Sequence, residues 1–169
     1  RMPGFPLLLA GCRLMFGDWL LGTRSLLALI GALACCGTYW LGRVLFTEEA
    51  GIVGGIGAAL SPALVGFSPL LLSETAFGAA LVAHGLALAC LWQTPATSRQ
   101  LRLAIVSGLL GALATYFRPT WLPVVPLIAV WHLLVAGRGR PARWAEAGAM
   151  VLALVFALLK VSPTPVCVM

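Results

Sequence analysis

The sequence predicts an all-α fold, a polytopic transmembrane helical bundle of about six spans with a short interfacial segment at its N-terminus. Of the 169 residues, 61% are hydrophobic and only 9% are charged, whereas a soluble domain carries about 25% charged residues. The mean hydropathy of +1.02 indicates more apolar surface than one core could bury, so the surrounding solvent is expected to be lipid. A disordered chain is also excluded, because disordered segments are poor in apolar residues.

The first apolar segment, FPLLLAG, is too short to cross a membrane. Proline is tolerated in the first turn of a helix, so Pro6 permits helix from that residue onward. Arg13 then follows too soon for a crossing of the bilayer. We expect a short helix that lies at the outer interface.

The gaps between charged residues outline the spans, because a hydrocarbon core about 30 Å thick needs about 20 helical residues. Six gaps qualify, and the shortest is the last, between Glu146 and Lys160. We expect one membrane domain, itself part of a longer protein. Its approximate spans are 25–42, 50–66, 74–92, 103–117, 121–136 and 145–160.

Two Ser-Pro pairs interrupt the second of these gaps. Ser61-Pro62 and Ser68-Pro69 fall within it, and a proline inside a helix removes a hydrogen bond and clashes with the preceding turn. We expect this helix to stop or kink near Leu60. Residues 65–72 should then form an irregular or interfacial stretch, since irregular backbone at such depth lines a cavity or the interface.

Basic residues predict the orientation, because cytoplasmic loops of membrane proteins are enriched in Lys and Arg. Alternation of the spans assigns one group to the cytoplasm: Arg43, Arg99, Arg102, Arg138, Arg140 and Arg143. Arg118 and Lys160 fall on the outer side. Arg1, Arg13 and Arg24 also fall outside, against the rule. The localisation expected is a multi-pass protein of a cell membrane, with the bacterial plasma membrane favoured over an endomembrane.

Glu74 and Arg118 are the candidate site residues. Glu74 lies at the predicted outer end of the third span, within LLLSETAF. Its carboxylate could serve only the helix N-terminus, or it could contact a polar substrate or a cation. Arg118, within TYFRPTW, is either an anchor that snorkels outward or a guanidinium that grips a phosphate.

Other polar residues have structural interpretations. Asp18, the single aspartate, is expected to cap a helix or form a turn. His84 and His132 are expected to be neutral and hydrogen-bonded between helices, because a proton relay would need several such groups in a chain. We expect no nucleic-acid partner, since the net charge of +6 is explained by membrane topology.

The five cysteines show no Cys-x-x-Cys spacing, and four of them lie in or beside apolar runs. The full set is Cys12, Cys35, Cys36, Cys90 and Cys167. Thiols in such positions behave as small apolar residues. We expect neither a metal site nor a disulfide framework, and no cofactor is indicated.

Four segments follow one another in the chain: FPLLLAG, RLMFGDWLLGTRSLLALIGALACCGTYWLGRVLF, GAALSPALVGFSPLLLSETAFGAALVAHGLALACLW and GLLGALATYFRPTWLPVVPLI. Their order, and the spacing of a few short motifs, resemble the membrane-embedded C-type glycosyltransferases. This group includes dolichyl-phosphate-mannose protein mannosyltransferase and aminoarabinose transferase. The motifs that carry the resemblance are Gly17, Gly42-Arg43, Ser61-Pro62, Ser73-Glu74 and Arg118-Pro119.

The resemblance implies transfer of one sugar, with inversion, from a polyprenyl-phosphate-linked donor to an extracytoplasmic protein, lipid or envelope glycan. It implies that Arg118 binds the donor phosphate and that Glu74 contacts donor or acceptor. The family's general base is an aspartate in the first outer loop, which is expected before Arg1. No residue of this sequence inherits that role, so this chain alone is expected to be inactive. Membrane lipid and the lipid-linked sugar are the expected partners.

Two other functions stay open at this point. A transporter or channel subunit would have an inverted repeat and polar groups at mid-depth, but no repeat is evident and His84 is the one deep ionisable residue. The second alternative is a structural segment that packs through its small residues. Its function would be unchanged by the loss of Arg118. The sequence does not specify the sugar, the acceptor or the oligomeric state.

Overall fold

The computed structural model describes residues 4–17, 20–61, 73–94, 98–135, 147–152 and 154–155. These residues form helices and their connections, without strands, which confirms the predicted all-α fold class. The helices are α1 (Gly4–Phe16), α2 (Leu20–Leu45), α3 (Glu48–Leu60), α4 (Ser73–Gln93), α5 (Ser98–Phe117) and α6 (Val124–Val135), with a 3-10 turn at Pro119–Trp121. Residues 147–152 and 154–155 are also helical.

Three of these helices, α2, α4 and α5, are long and apolar enough to cross a bilayer. Large apolar side chains point outward along α2; Leu29 is 56% exposed and Leu33 is 62% exposed. In a soluble protein such a surface would be unstable, but against lipid tails it needs no cover. The long α2 therefore fits the lipid environment that the composition predicts.

Helix α3 is half the length of α2 and packs tightly against its second half. Thr47 caps α3, with its hydroxyl accepting a hydrogen bond from the Ala50 N–H at 3.2 Å. A Cβ added at Gly51 would lie 2.6 Å from the carbonyl oxygen of Tyr39, so this close approach requires glycine. The helix ends at Leu60, as Ser61-Pro62 predicts.

Helix α4 lies at the centre, between α2 and α5. The Gln93 side chain at its C-terminus donates to the carbonyl of Val44, near the C-terminus of α2, so α2 and α4 run in the same direction. Helix α5 runs back, which returns its C-terminus to the start of α4. One end of the bundle, called the rim from here on, thus contains the residues around Glu74 and Arg118.

Buried residues from four segments form the core between α4, α5 and α6: Leu88, Leu91, Ala104, Ala129, Ala147 and Met150. Near the end opposite the rim, the Trp92 indole donates to His132 Nδ1 at 3.2 Å and joins α4 to α6. His132 is only 3% exposed. It is hydrogen-bonded between helices, as predicted.

Helix α1 has 13 residues and is among the shorter apolar helices rather than the candidate spans. It begins at Gly4, two residues before the predicted start, because Pro6 still falls in the first turn, where its missing N–H costs nothing. A Cβ at Gly4 would lie 2.6 Å from the carbonyl oxygen of Tyr116. Helix α1 therefore contacts the last turn of α5, beside the rim.

Candidate functional site

Glu74 and Arg118 meet at the rim. Arg118 Nη1 donates to Glu74 Oε2 at 3.0 Å. The Arg118 side chain is 50% exposed and that of Glu74 is 38% exposed, so the pair is accessible from outside the bundle. One guanidinium nitrogen makes the bond, and Arg carries five N–H donors, so an anion could still engage this side chain.

The local sequence explains the position of each partner. Glu74 lies in the first turn of α4, where the helix dipole favours a negative charge. Arg118 follows the last residue of α5, and its backbone N–H still bonds the carbonyl of Ala114 at 2.9 Å. Because proline disfavours helix in the preceding residue, Arg118 is extended, with φ −144° and ψ 108°, and Pro119 opens the 3-10 turn. The chain turns at this point and directs the guanidinium to Glu74.

Aromatic side chains support the guanidinium from below. Arg118 Cζ lies 5.6 Å from the centroid of the Phe77 ring, a distance at which the face of an aromatic ring attracts a cation. Phe77 in turn packs edge-on against Trp121, with ring centroids 6.1 Å apart. The rings reduce the conformational freedom of Arg118, and thereby the entropy that it would lose on binding an anion.

His84 lies beneath Trp121 and is 2% exposed. Its Nδ1 donates to the carbonyl oxygen of Ser107 on α5 at 2.8 Å, which confirms the predicted hydrogen bond between helices. The ring also contacts Trp121 edge-on, with centroids 6.5 Å apart. Gly111 provides the space, since a Cβ there would lie 3.2 Å from His84 Cε1 and 2.5 Å from a Val125 methyl carbon.

An apolar groove begins beside the ion pair. It has a volume of about 440 Å³ and is lined mostly by small residues of α2, α3 and α4, among them Ala32, Ala58 and Gly78. Thr75, the neighbour of Glu74, also lines it. This side chain is 3% exposed, and its hydroxyl has no hydrogen-bond partner among the described residues. The groove is thus lined mainly by hydrocarbon, with Thr75, Thr38 and Cys35 as its polar side chains.

A similar set of side chains lies at the opposite end of the bundle. Arg43 Cζ is 5.4 Å from the Trp40 ring centroid, and Arg43 Nη1 is 3.9 Å from Glu48 Oε1. This ion pair is longer than the one at the rim, and its carboxylate is more exposed, with Glu48 at 61%. It serves below as the matched control for Arg118.

Within the part of the chain that the structure describes, no group of three or more His, Cys, Asp or Glu side chains could hold a metal ion. Asp18, Cys167, Lys160 and the arginines at 138, 140 and 143 lie outside the described residues, as do residues 62–72 and half of the sixth predicted span. The carboxylates described are Glu48, Glu49 and Glu74. Of these, Glu74 lies at the rim.

The structure thus brings the two sequence-predicted site residues into direct contact. Sequence reasoning missed Phe77, Thr75 and Trp121 as neighbours of the ion pair. A signal was present, because Glu74, Phe77 and His84 follow one another at spacings of 3 and 7 along α4, which places them on one helical face.

A model of the dolichyl-phosphate-mannose-protein mannosyltransferase family matches residues 1–166. This match confirms the resemblance found in the sequence, and it covers nearly all of the chain. Comparison with curated proteins and comparison with solved structures each give no match.

Proposed function

Since the chain belongs to the dolichyl-phosphate-mannose-protein mannosyltransferase family, we propose that it serves in sugar transfer from a polyprenyl-phosphate-linked donor to an extracytoplasmic acceptor. The family consists of membrane glycosyltransferases of the mannosyltransferase type. The donor, the acceptor side and the roles of Arg118 and Glu74 are our proposal. Its setting is a multi-pass membrane protein, with the bacterial plasma membrane favoured.

The observation that carries the proposal is the accessible ion pair at the rim, with Arg118 bonded to Glu74 at 3.0 Å and 50% exposed. In the reaction, the bond from the anomeric carbon to the phosphate oxygen breaks as the bond from that carbon to the acceptor oxygen forms. Negative charge develops on the departing lipid phosphate. A guanidinium held beside that phosphate stabilises the charge in the transition state.

Glu74 has two uses in this scheme. Before the donor binds, its carboxylate holds the guanidinium through the 3.0 Å contact. Once the phosphate engages Arg118, the carboxylate is available to accept a hydrogen bond from a sugar hydroxyl of donor or acceptor. The acceptor's proton passes to a general base, which the family resemblance assigns to an aspartate of the first outer loop.

The apolar groove supports a lipid-linked donor. Its 440 Å³ falls within the range of about 300–1,000 Å³ found for ligand sites, and its lining of small apolar side chains suits a hydrocarbon chain. Thr75, which lines the groove, is next to Glu74 in the first turn of α4, and on this basis we assign the phosphate end of a bound lipid tail to the vicinity of Arg118. A carrier that cannot leave the bilayer requires such an arrangement.

The test compares Arg118→Ala with Arg43→Ala in the intact full-length protein, reconstituted with a polyprenyl-phosphate-linked sugar. Both arginines lie near a carboxylate and over an aromatic ring, but at opposite ends of the bundle. We expect Arg118→Ala to lower transfer by about 10²–10³-fold, the size of effect seen when one charge-stabilising donor is removed. Arg43→Ala should change it by less than about threefold.

The comparison is valid only if both variants insert and fold. Protease protection tests insertion, and the yield of monodisperse protein tests folding. Transfer by Arg118→Ala at the wild-type rate would refute the phosphate role. An equal loss in both variants would also refute it, because a general effect of removing an arginine would then explain the result.

A further inference from the structure

Among the described residues, two histidine–tryptophan pairs differ in how their rings contact each other. Near the end opposite the rim, Trp92 Nε1 donates directly to His132 Nδ1 at 3.2 Å. Beneath the rim, the rings of His84 and Trp121 meet edge-on, with an interplanar angle of 89°. Trp121 Nε1 and His84 Nε2 are both buried, and neither has a hydrogen-bond partner among the described residues.

The hydrogen bond to Ser107 determines whether His84 Nε2 is a hydrogen-bond donor or an acceptor. Since His84 Nδ1 donates to a carbonyl oxygen, Nδ1 carries the proton of the neutral ring and Nε2 is an acceptor. Trp121 Nε1 is a donor only. A buried donor and a buried acceptor on adjacent rings are both satisfied by one hydroxyl group that accepts from the indole and donates to the imidazole. An unpaired buried polar group is costly, which favours such a bridge.

From Trp121 the contacts lead to the ion pair. Trp121 packs on Phe77 at 6.1 Å, and Phe77 lies under the Arg118 guanidinium at 5.6 Å. Trp121 also closes the 3-10 turn that Arg118 precedes, and its backbone N–H bonds the Arg118 carbonyl at 3.1 Å. The orientation of the indole therefore affects Arg118 through both the backbone and the Phe77 ring.

We propose that His84 is a positioning residue for Arg118, acting through a water molecule that accepts a hydrogen bond from Trp121 Nε1 and donates one to His84 Nε2. His84 itself, at 2% exposure, does not touch the donor. The water bridge fixes the orientation of the Trp121 indole. The indole in turn positions Phe77 and the 3-10 turn, and these position the Arg118 guanidinium. The consequence for sugar transfer rests on the proposed function, whereas the water bridge and the coupling to Arg118 do not.

The first test is nuclear magnetic resonance of the full chain in lipid nanodiscs, with nitrogen-15 in the Trp indoles and Arg side chains. Loss of a signal in Trp121→Phe, Trp92→Phe or Arg118→Lys assigns each resonance. We expect a cross-peak to water for the Trp121 indole N–H and none for that of Trp92. His84→Phe, which keeps a ring but no acceptor, should shift the Trp121 and Arg118 signals.

His132→Phe is the matched control, because it removes the other buried histidine. It should shift the Trp92 indole signal and leave those of Trp121 and Arg118 in place. The proposal is overturned if the Trp121 indole shows no water contact, or if the Arg118 Nε–H signal responds equally to loss of either histidine. These resonances decide the positioning role whether or not the protein transfers sugar.

The second test is kinetic and uses the intact full-length protein. Loss of Arg118 positioning should lower the kcat for sugar transfer about fivefold, the equivalent of one cation–π contact, because Arg118 is proposed to stabilise charge that develops in the transition state. The KM for the lipid-linked donor should change less than twofold. His84→Gln keeps a hydrogen-bond donor and an acceptor, and it should restore most of the kcat.

Equal losses of kcat in His84→Phe and His132→Phe would mark a general packing defect and overturn the positioning role. Absence of transfer by the wild-type protein would instead refute the proposed function, and the resonances would still decide the link between His84 and Arg118.

Discussion

The ion pair at the rim should contribute little to the free energy of folding, because the proposed function requires Arg118 to release the Glu74 carboxylate and bind a phosphate. The perturbation is a double-mutant cycle of Glu74→Gln, Arg118→Gln and both together. Two unit charges about 4 Å apart attract by about 1 kcal/mol in water and about 4 kcal/mol at an effective dielectric of about 20. With side chains 50% and 38% exposed, the pair is close to the aqueous limit, and we expect a coupling of about 0.5–1 kcal/mol.

Reversible unfolding in mixed micelles gives the free energy of unfolding for the wild type, the two single variants and the double variant. The coupling should fall as salt rises, because accessible charges are screened. The pair of Arg43 and Glu48, at 3.9 Å and with a more exposed carboxylate, should show a smaller coupling in a parallel cycle. A rim coupling above about 3 kcal/mol would refute the reasoning, since that value is typical of a desolvated pair whose disruption leaves a buried charge.

Two further predictions concern stability. The Gly111→Ala variant should have a melting temperature several degrees below that of Gly57→Ala. Both variants gain helix propensity, but only Gly111→Ala creates close contacts, at a cost of about 1–3 kcal/mol. Equal melting temperatures would contradict the packing around His84. Thr75→Val should raise the melting temperature by about 2–4 °C. It removes a buried hydroxyl that has no partner among the described residues, and burying such a group costs about 1 kcal/mol. A lower melting temperature would show that this hydroxyl is hydrogen-bonded.

Much of the architecture could be predicted from charge spacing and proline. Helices α4 and α5 lie where long apolar runs are bounded by charges, since the bilayer penalises a charge at depth. The end of α3 at Leu60 and the extended conformation of Arg118 follow from the prolines at 62 and 119, because the effect of proline on its neighbours is local.

The partners of each helix could not be predicted in the same way. A helix that is apolar on every side has no distinct face that identifies its core contacts. The sequence of α4 therefore gave no sign that one side contacts α2 and the other contacts α5. The same limit explains why the sequence did not identify Trp121 as part of the support of Arg118.

Part of the candidate site could nevertheless be predicted from the sequence. Glu74 and Arg118 were each placed at the same end of a bundle by counting spans, but their 3.0 Å contact depends on the turn at Pro119 and on the packing of α4 against α5. The aromatic support involves residues whose types, Phe and Trp, are common throughout apolar segments. Only their spacing from Glu74 and Arg118, three residues in each case, distinguishes them.

The central claim is that Arg118 and Glu74 face a lipid-linked donor on the non-cytosolic side. It is tested most directly by Arg118→Cys and Glu74→Cys in a chain whose native cysteines are replaced by alanine. A membrane-impermeant maleimide is applied to either side of sealed vesicles, and Arg43→Cys marks the opposite end. We predict that positions 118 and 74 react from the non-cytosolic side and position 43 from the cytosolic side. Reaction of position 118 or 74 from the cytosolic side alone would contradict the account.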